Sequence, residues 1–174
     1  MGNLSYVTGS GTALAFDDGA FDAVVFHTVL SHVPEAGAAL AEAARVTAAG
    51  GALAIFDGDY ATTTVAVGDH DPLQACIDAA LDALVHDRYL VRRLVRLVRA
   101  AGWEVVRLRS HGYVETEDPG YMLTLVDRGA DTLAATGRLG ADAAEALKSD
   151  ARHRAAAGEF FGHIAYASLI GRRP

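Results

Sequence analysis

The fold is decided by residues 16–57, which read FDDGAFDAVVFHTVLSHVPEAGAALAEAARVTAAGGALAIFD. The segment 17–19, Asp-Asp-Gly, is a turn signal because aspartate caps its own backbone and glycine accepts a positive φ. Residues 22–26 then form a short apolar run that is typical of a strand buried on both faces. Residues 52–56 form a second such run. The stretch therefore predicts two strands with one connection between them.

A helix is predicted in that connection. Pro34 suits the first turn of a helix, where its missing N–H would have no partner. Apolar residues follow at helical spacing over 38–46, and Gly50-Gly51 predicts the end of the helix. A strand, a crossover helix and a second strand predict a parallel pair with a right-handed connection.

Length and composition predict one globular domain over residues 1–174, of which 51% are apolar. The net charge of −7 argues against a nucleic-acid partner held by bulk electrostatics. Cys76 is the single cysteine, so an internal disulfide is excluded. Met1 is followed by no basic-then-apolar leader, and no apolar run approaches the roughly 18 residues of a membrane helix. We therefore expect a cytoplasmic protein with no membrane association.

The remaining predicted elements flank this unit on both sides. Periodicity and turn signals place a polar, irregular segment after Asp57. In chain order, the other predicted elements are a strand over 4–8, a loop over 9–12, helices over 73–85 and 90–98, a strand over 103–110, helices over 121–136 and 139–156, and a strand over 160–170.

Several features of residues 16–57 recur together at fixed separations: Phe21-Asp22-x-Val24-Val25, Val29-Leu30-Ser31-His32-Val33, Arg45-Val46, Gly50-Gly51, and an apolar strand ending in Asp57. This string resembles the second half of a class I S-adenosylmethionine (SAM) methyltransferase of the small-molecule, ubiquinone/menaquinone group. The resemblance implies an α/β fold with a truncated Rossmann-like methyltransferase sheet. Strands 3, 4, 5, 6 and 7 of the family order 3-2-1-4-5-7-6 would be present, with helices on both faces and an antiparallel C-terminal strand.

The resemblance also implies SAM as cofactor. The loop Gly9-Ser10-Gly11-Thr12 aligns with the family segment that meets the adenine, although two glycines after a strand are more often a plain turn without ligand. Ser10, Gly11, Phe26, His27 and Thr28 are the candidate cofactor-binding residues. The family opens with a further strand, a glycine-rich loop and a second strand, and no GxGxG motif occurs in this chain. We therefore expect the cofactor site to be completed in trans.

The missing neighbours would leave the strand 22–26 at the edge of the sheet. It is apolar and free of proline, and such an edge is a template for pairing with another chain. We expect a homodimer formed through this strand, or a partner chain that supplies the missing half.

His27 is the candidate catalytic residue, because it directly follows a predicted buried strand and histidine is the side-chain type best suited to proton transfer near neutral pH. It could act as a general base toward an acceptor hydroxyl or amine, or it could hold the loop by hydrogen bonds. His32 is interpreted as a packing residue where the loop meets the helix. Asp57 and Asp59 could position an acceptor or cap a turn. His27 and His32 do not share one helical face, and no metal site is predicted.

Residues 58–90 and 111–126 are the segments expected to cover a small organic acceptor. The candidate acceptor-binding residues within or beside them are Asp57, Tyr60, His70, Tyr113 and Met122. Their aromatic and apolar character suits a small molecule better than a protein or nucleic acid, although such residues also build cores. The basic residues of the helix over 90–98 form either a solvated face or an anion-binding patch.

Three functions remain open on these residues. The first is a SAM-dependent methyltransferase that acts on a small organic acceptor. The second is a non-catalytic remnant of the methyltransferase fold that serves as a dimeric binding or assembly module. The third is a SAM-independent enzyme on this scaffold, such as a cyclase.

Overall fold

The sheet has four strands in the order β1-β2-β4-β3 within residues 3–174, which the computed structural model describes. β1 and β2 are parallel, and β4 is antiparallel to both β2 and β3. The strands are β1 Phe21–His27, β2 Thr47–Thr64, β3 Glu104–Glu115 and β4 Gly162–Arg172. The predicted truncated Rossmann-like sheet with an antiparallel C-terminal strand is confirmed.

In the described part of the chain, five α-helices cover this sheet in two groups. They are α1 Ala36–Val46, α2 Leu73–Leu84, α3 Leu90–Ala100, α4 Gly120–Ala135 and α5 Ala141–Ala157. On β4, Leu169 is buried with the group formed by α1 and α3, and Ile164 with the group formed by α2, α4 and α5. Residues five positions apart in a regular strand point to opposite faces. The prediction of helices on both faces is therefore confirmed.

The predicted strand over 4–8 is wrong, because these residues form no regular structure. Leu4, Tyr6 and Val7 are 73%, 88% and 70% exposed. A strand needs a neighbour for its backbone groups and a surface for its apolar face. The alternating apolar residues of this segment have neither a neighbouring strand nor an apolar surface to pack against, so no strand forms.

The helix stop also lies elsewhere than predicted. α1 ends at Val46 rather than at Gly50, and the Thr47 hydroxyl donates to the carbonyl of Ala43 at 2.6 Å across its last turn. Gly50, with φ of +78°, lies within β2, where the register to β1 is interrupted. The positive φ of Gly50, which the sequence analysis interpreted as a helix stop, instead occurs at an irregularity near the start of a strand.

β2 and β3 run well beyond their predicted ends, because β4 pairs with both along its length. Gly58 lies opposite Tyr166, and Tyr113 lies opposite Ile164. Residues 58–64 and 111–115, which belong to the segments predicted to cover an acceptor, are therefore strand. The first of those segments also contains α2, and the second ends in the first turns of α4.

Candidate functional site

Two cavities flank the carboxyl end of β1, the position where open α/β sheets bind ligands. The larger, of about 420 Å³, is named the tyrosine cavity, and the smaller, of about 290 Å³, is named the loop cavity. The tyrosine cavity is lined by Thr28, His32, Tyr60, Leu81, Leu84, Val85, Tyr121, Leu125, Arg128 and Tyr166. The loop cavity is lined by Ser10, Gly11, Thr12, Phe26, Val29, Val33, Pro34, Glu35 and Ala39. Phe26 and Thr28 are two residues apart, so the end of β1 contributes a residue to each cavity.

A close contact between α2 and α4 builds one wall of the tyrosine cavity. A Cβ atom at Gly129 would lie 1.7 Å from the carbonyl oxygen of Cys76, so only glycine permits this approach. On α4, Tyr121, Leu125 and Arg128 are spaced by four and three residues, which places them on one helical face. That face lines the cavity opposite the α2 residues.

His32 holds one tautomer in this cavity. Its Nδ1 lies 3.0 Å from the carbonyl oxygen of Leu84, which can only accept, so Nδ1 carries the hydrogen and donates. In the neutral imidazole, Nε2 is then an acceptor, and it lies 3.2 Å from the hydroxyl oxygen of Tyr60. Tyr60 donates to His32, and the basic nitrogen of the ring is directed at the cavity tyrosines.

The tyrosines of the cavity are neutral hydrogen-bond donors. Burial, with smaller contributions from Tyr121 and Asp57, raises the pKa of Tyr60 to about 12. Burial likewise raises the pKa of Tyr166 and of Tyr121 above the usual tyrosine range. Because the phenolate form is disfavoured, all three present O–H groups near neutral pH.

Thr28, which lines the tyrosine cavity directly after β1, carries backbone strain. Its φ of +52° lies in the left-handed region, which β-branched residues avoid. Its amide donates to the carbonyl of Phe56 at 2.7 Å, and its hydroxyl donates to the carbonyl of His27 at 2.8 Å. Strain of this kind collects at ligand sites.

His27, the catalytic candidate of the sequence, lines neither cavity. Its exposed ring stacks on Phe56, with centroids 5.2 Å apart, and Phe56 stacks in turn on Tyr166 at 4.9 Å. The histidine that the structure brings into the tyrosine cavity is His32, which the sequence assigned to packing.

Asp57 is fully buried and serves the backbone around it. Its carboxylate accepts from the amide and the hydroxyl of Ser31, at 3.2 and 2.7 Å, and from the amide of Gly58 at 2.9 Å. Ser31 lies in a 3-10 turn, Leu30–His32. Asp57 thus fixes the turn that carries His32, and it lines neither cavity.

Of the other predicted acceptor-binding residues, the structure brings only Tyr60 into the tyrosine cavity. His70 is exposed on the connection between β2 and α2. Tyr113 donates its hydroxyl to Glu115 on the same strand. Met122 is fully buried in the core shared by α2, α4 and α5.

The loop cavity unites three of the predicted cofactor-binding residues. Ser10, Gly11 and Phe26 line this cavity, while Thr28 lines the tyrosine cavity. Val29 and Val33 add further apolar surface, and Ser10, Thr12 and Glu35 supply the polar side chains of the lining.

Two side chains of α1 hold the segment that forms this loop. Glu42 accepts the amide of Leu14 at 2.7 Å, and Arg45 donates to the carbonyls of Phe16 and Leu14 at 2.8 and 3.1 Å. Arg45 also pairs with Glu42 and with Asp18. Hydrogen bonds from Arg45 and from the Leu14 amide lower the pKa of Glu42 to about 2.

Two kinds of site are not formed by residues 3–174. They contain no group of three or more His, Cys, Asp or Glu side chains arranged to hold a metal ion. No helix among them is long and apolar enough to cross a membrane.

Tyr121, Arg128 and Tyr166 line the tyrosine cavity but were not among the predicted site residues. The spacing of Tyr121 and Arg128 on α4 was visible in the sequence. Which face of α4 meets α2 was not, because the contact depends on Gly129 and Cys76.

Comparison with known protein sequences finds methyltransferases. A family model described as a methyltransferase domain matches residues 1–55. The demethylmenaquinone methyltransferase of Mycolicibacterium gilvum is 33% identical over 122 residues, which are 60% of this chain and 52% of that enzyme. The demethylmenaquinone methyltransferase of Mycobacterium marinum is 37% identical over 94 residues, 54% of this chain and 34% of that enzyme. The chain spans about half the length, or less, of these relatives.

Solved structures show the same fold. A candidate methyltransferase from Bacillus halodurans C-125 superposes with a TM-score of 0.62 at 17% identity, covering 98% of this chain and 78% of the other. The YcgJ protein from Bacillus subtilis gives a TM-score of 0.55 at 18% identity, covering 95% and 69%. At these identities the likeness concerns the fold alone.

Proposed function

We propose that this chain, which belongs to the class I SAM-dependent methyltransferase family, transfers a methyl group from SAM to a small organic acceptor held in the tyrosine cavity. One observation carries the proposal: the end of β1 contributes Phe26 to one cavity and Thr28 to the other. Methyl transfer needs two ligands held end to end with little covalent help from the protein.

The residues of the loop cavity fit one end of SAM. A volume of about 290 Å³ is small for a whole cofactor-sized ligand. The apolar walls Phe26, Val29 and Val33 suit a flat heterocycle such as adenine, and the Ser10 hydroxyl can hydrogen-bond its edge. No basic side chain of residues 3–174 lines this cavity, so the carboxylate end of SAM needs contacts from elsewhere.

SAM, when bound, would supply an electrophilic methyl carbon, whose bond to sulfur breaks on transfer so that S-adenosylhomocysteine is released. The acceptor's hydroxyl or amine loses a proton as its oxygen or nitrogen gains that methyl group, and Nε2 of His32 is the basic atom available in the cavity. Tyr60 donates a hydrogen bond to Nε2 of His32 and lies between His32 and the acceptor. Its oxygen can therefore take the acceptor's proton as its own O–H proton passes to His32. Leu84 keeps Nδ1 protonated and thereby keeps Nε2 basic.

We also propose that another polypeptide, a second copy of this chain or a separate chain, associates through β1 and completes the cofactor site. β1 pairs with β2 on one side, and its other edge carries no strand from residues 3–174. Val25 on this strand is 68% exposed. An apolar strand edge of this kind favours pairing with another chain.

The proposal is tested by incubating the associated protein with [methyl-14C]SAM and a set of small phenols, amines and carboxylic acids, followed by solvent extraction. We expect label in an extracted small molecule, and a strong reduction in the His32→Gln variant. His153→Gln, on the exposed side of α5, is the matched control and keeps transfer. Label that never leaves SAM with any acceptor contradicts the proposed function.

A further inference from the structure

Arg128 places a positive charge at the tyrosine cavity. It follows Tyr121 by seven residues and Leu125 by three on the cavity face of α4. Arg128 is exposed to solvent, so it lies where the cavity opens to solvent. It is the one basic arginine or lysine among the residues that line this cavity.

The acidic neighbours of Arg128 on α4 are engaged elsewhere. Asp127 forms a two-pronged pair with Arg152 of α5, at 2.7 and 2.9 Å. Asp131 pairs with Lys148, also of α5. Within residues 3–174 no carboxylate lies within ion-pair distance of the Arg128 guanidinium.

The rest of the cavity wall adds no negative charge. Leu81, Leu84, Val85 and Leu125 give it apolar surface, and the tyrosines are neutral O–H donors. Among the described residues, no aspartate or glutamate lines it. A cation without a counter-ion beside apolar surface and neutral donors selects a ligand that brings one negative charge on an apolar body.

We propose that the acceptor is a small apolar acid whose carboxylate pairs with Arg128 and whose hydrocarbon or aromatic body packs against α2. This inference rests on the proposed function only in calling the ligand an acceptor. The charge preference of the cavity does not depend on whether a methyl group is transferred. Arginine is suited to the role because its planar guanidinium binds a carboxylate through two parallel hydrogen bonds. A single cation among apolar walls favours a monoanion over a phosphate ester.

A matched pair of probes tests the charge preference without SAM. 4-Hydroxycinnamate and its neutral amide, 4-hydroxycinnamamide, have nearly the same shape and differ by one charge. Calorimetric titration at low salt is expected to show the acid binding at least tenfold more tightly than the amide. In Arg128→Gln the ratio is expected to fall to about twofold or less, because a charge-assisted pair is lost. Arg138→Gln, in the turn after α4 and outside the cavity, is the control and keeps the ratio.

Three results overturn the inference: equal affinity for acid and amide, an unchanged ratio in Arg128→Gln, or binding of neither probe. Its failure is distinguishable from failure of the proposed function. If methyl groups are transferred only to uncharged acceptors, the charge preference is wrong and the proposed methyltransferase function stands. If the cavity binds the acid selectively but no acceptor is methylated, the charge preference stands and the proposed function is wrong.

Discussion

Nε2 of His32 lies 3.2 Å from the hydroxyl oxygen of Tyr60, and the other nitrogen of the same ring donates to the carbonyl of Leu84. The pair joins the 3-10 turn after β1 to the far part of β2. It places a base of fixed tautomer at the wall of the tyrosine cavity. The turn itself is held by the buried carboxylate of Asp57.

Replacing His32 by glutamine is expected to lower kcat for methyl transfer by about 10²-fold, because a general base contributes on this order. Glutamine keeps hydrogen-bonding capacity but takes up no proton, so KM for the acceptor changes little. Tyr60→Phe, which removes the relay hydroxyl, is expected to lower kcat by a smaller factor. Steady-state kinetics on both variants and on His27→Gln makes the check. A larger loss in His27→Gln than in His32→Gln would restore the sequence-based candidate.

Neutralising Glu42 is expected to release the segment that forms the loop cavity. In Glu42→Gln, amide hydrogen exchange around Leu14 is expected to accelerate about tenfold at pH 6, since a charged acceptor is lost. Glu159→Gln serves as a control on an exposed acid near the end of α5. Unchanged exchange around Leu14 would show that the segment is held by other contacts.

The same carboxylate makes the loop cavity sensitive to acid. The pKa of Glu42 is lowered in the folded state from 4.5 to about 2, so its contribution is present above pH 4.5 and is lost as the pH falls toward 2. Exchange around Leu14, corrected for the intrinsic pH dependence of exchange, is expected to rise across this window in the wild type. The Glu42→Gln variant is expected to show no such rise.

Relieving the backbone strain at Thr28 is expected to stabilise the fold. Asparagine tolerates positive φ better than a β-branched residue, so Thr28→Asn should raise the free energy of unfolding by about 1 kcal/mol. Thr28→Val keeps the branching and loses the hydroxyl, so it should bring no gain. Urea denaturation compares the two, and equal stability would mean that φ at this position is not strained.

The open edge of β1 is expected to be an association surface. Val25→Lys should shift the protein toward the monomer in sedimentation velocity at micromolar concentration, because a charge on an edge strand opposes pairing. Val106→Lys is the matched control: Val106 is 59% exposed on β3, the opposite edge strand, where association is expected to persist. A wild-type protein that is monomeric at micromolar concentration and gains no partner contradicts association through β1.

The parts of the fold that could be predicted from the sequence depend on local patterns. The apolar runs at 22–26 and 52–56, with a helical pattern between them, led directly to the parallel pair of β1 and β2. Periodicity also located all five helices to within a few residues. The prediction of a strand over 4–8 was wrong because alternating apolar and polar residues are compatible with a strand but do not show whether another strand is available to pair with it.

The candidate site was only partly predictable because its residues come from contacts distant in the chain. The run 22–26, predicted to be a strand buried on both faces, drew attention to His27, but no residue of β1 is buried, and the exposed ring of His27 stacks on Phe56. The position of His32 depends on Asp57 and on Leu84, which are 26 and 52 residues away. Contacts between residues so far apart in the chain cannot be predicted from local sequence patterns.

Titration of S-adenosylhomocysteine into the associated protein, followed by calorimetry, tests most directly whether a methyl donor is held beside Phe26. We predict saturable binding of one molecule per loop cavity. Gly11→Trp should abolish it by filling that cavity, whereas Gly68→Trp, at an equally open position outside it, should preserve it. Absence of binding to folded, associated protein, or equal binding to Gly11→Trp, would contradict a cofactor site at this end of the sheet.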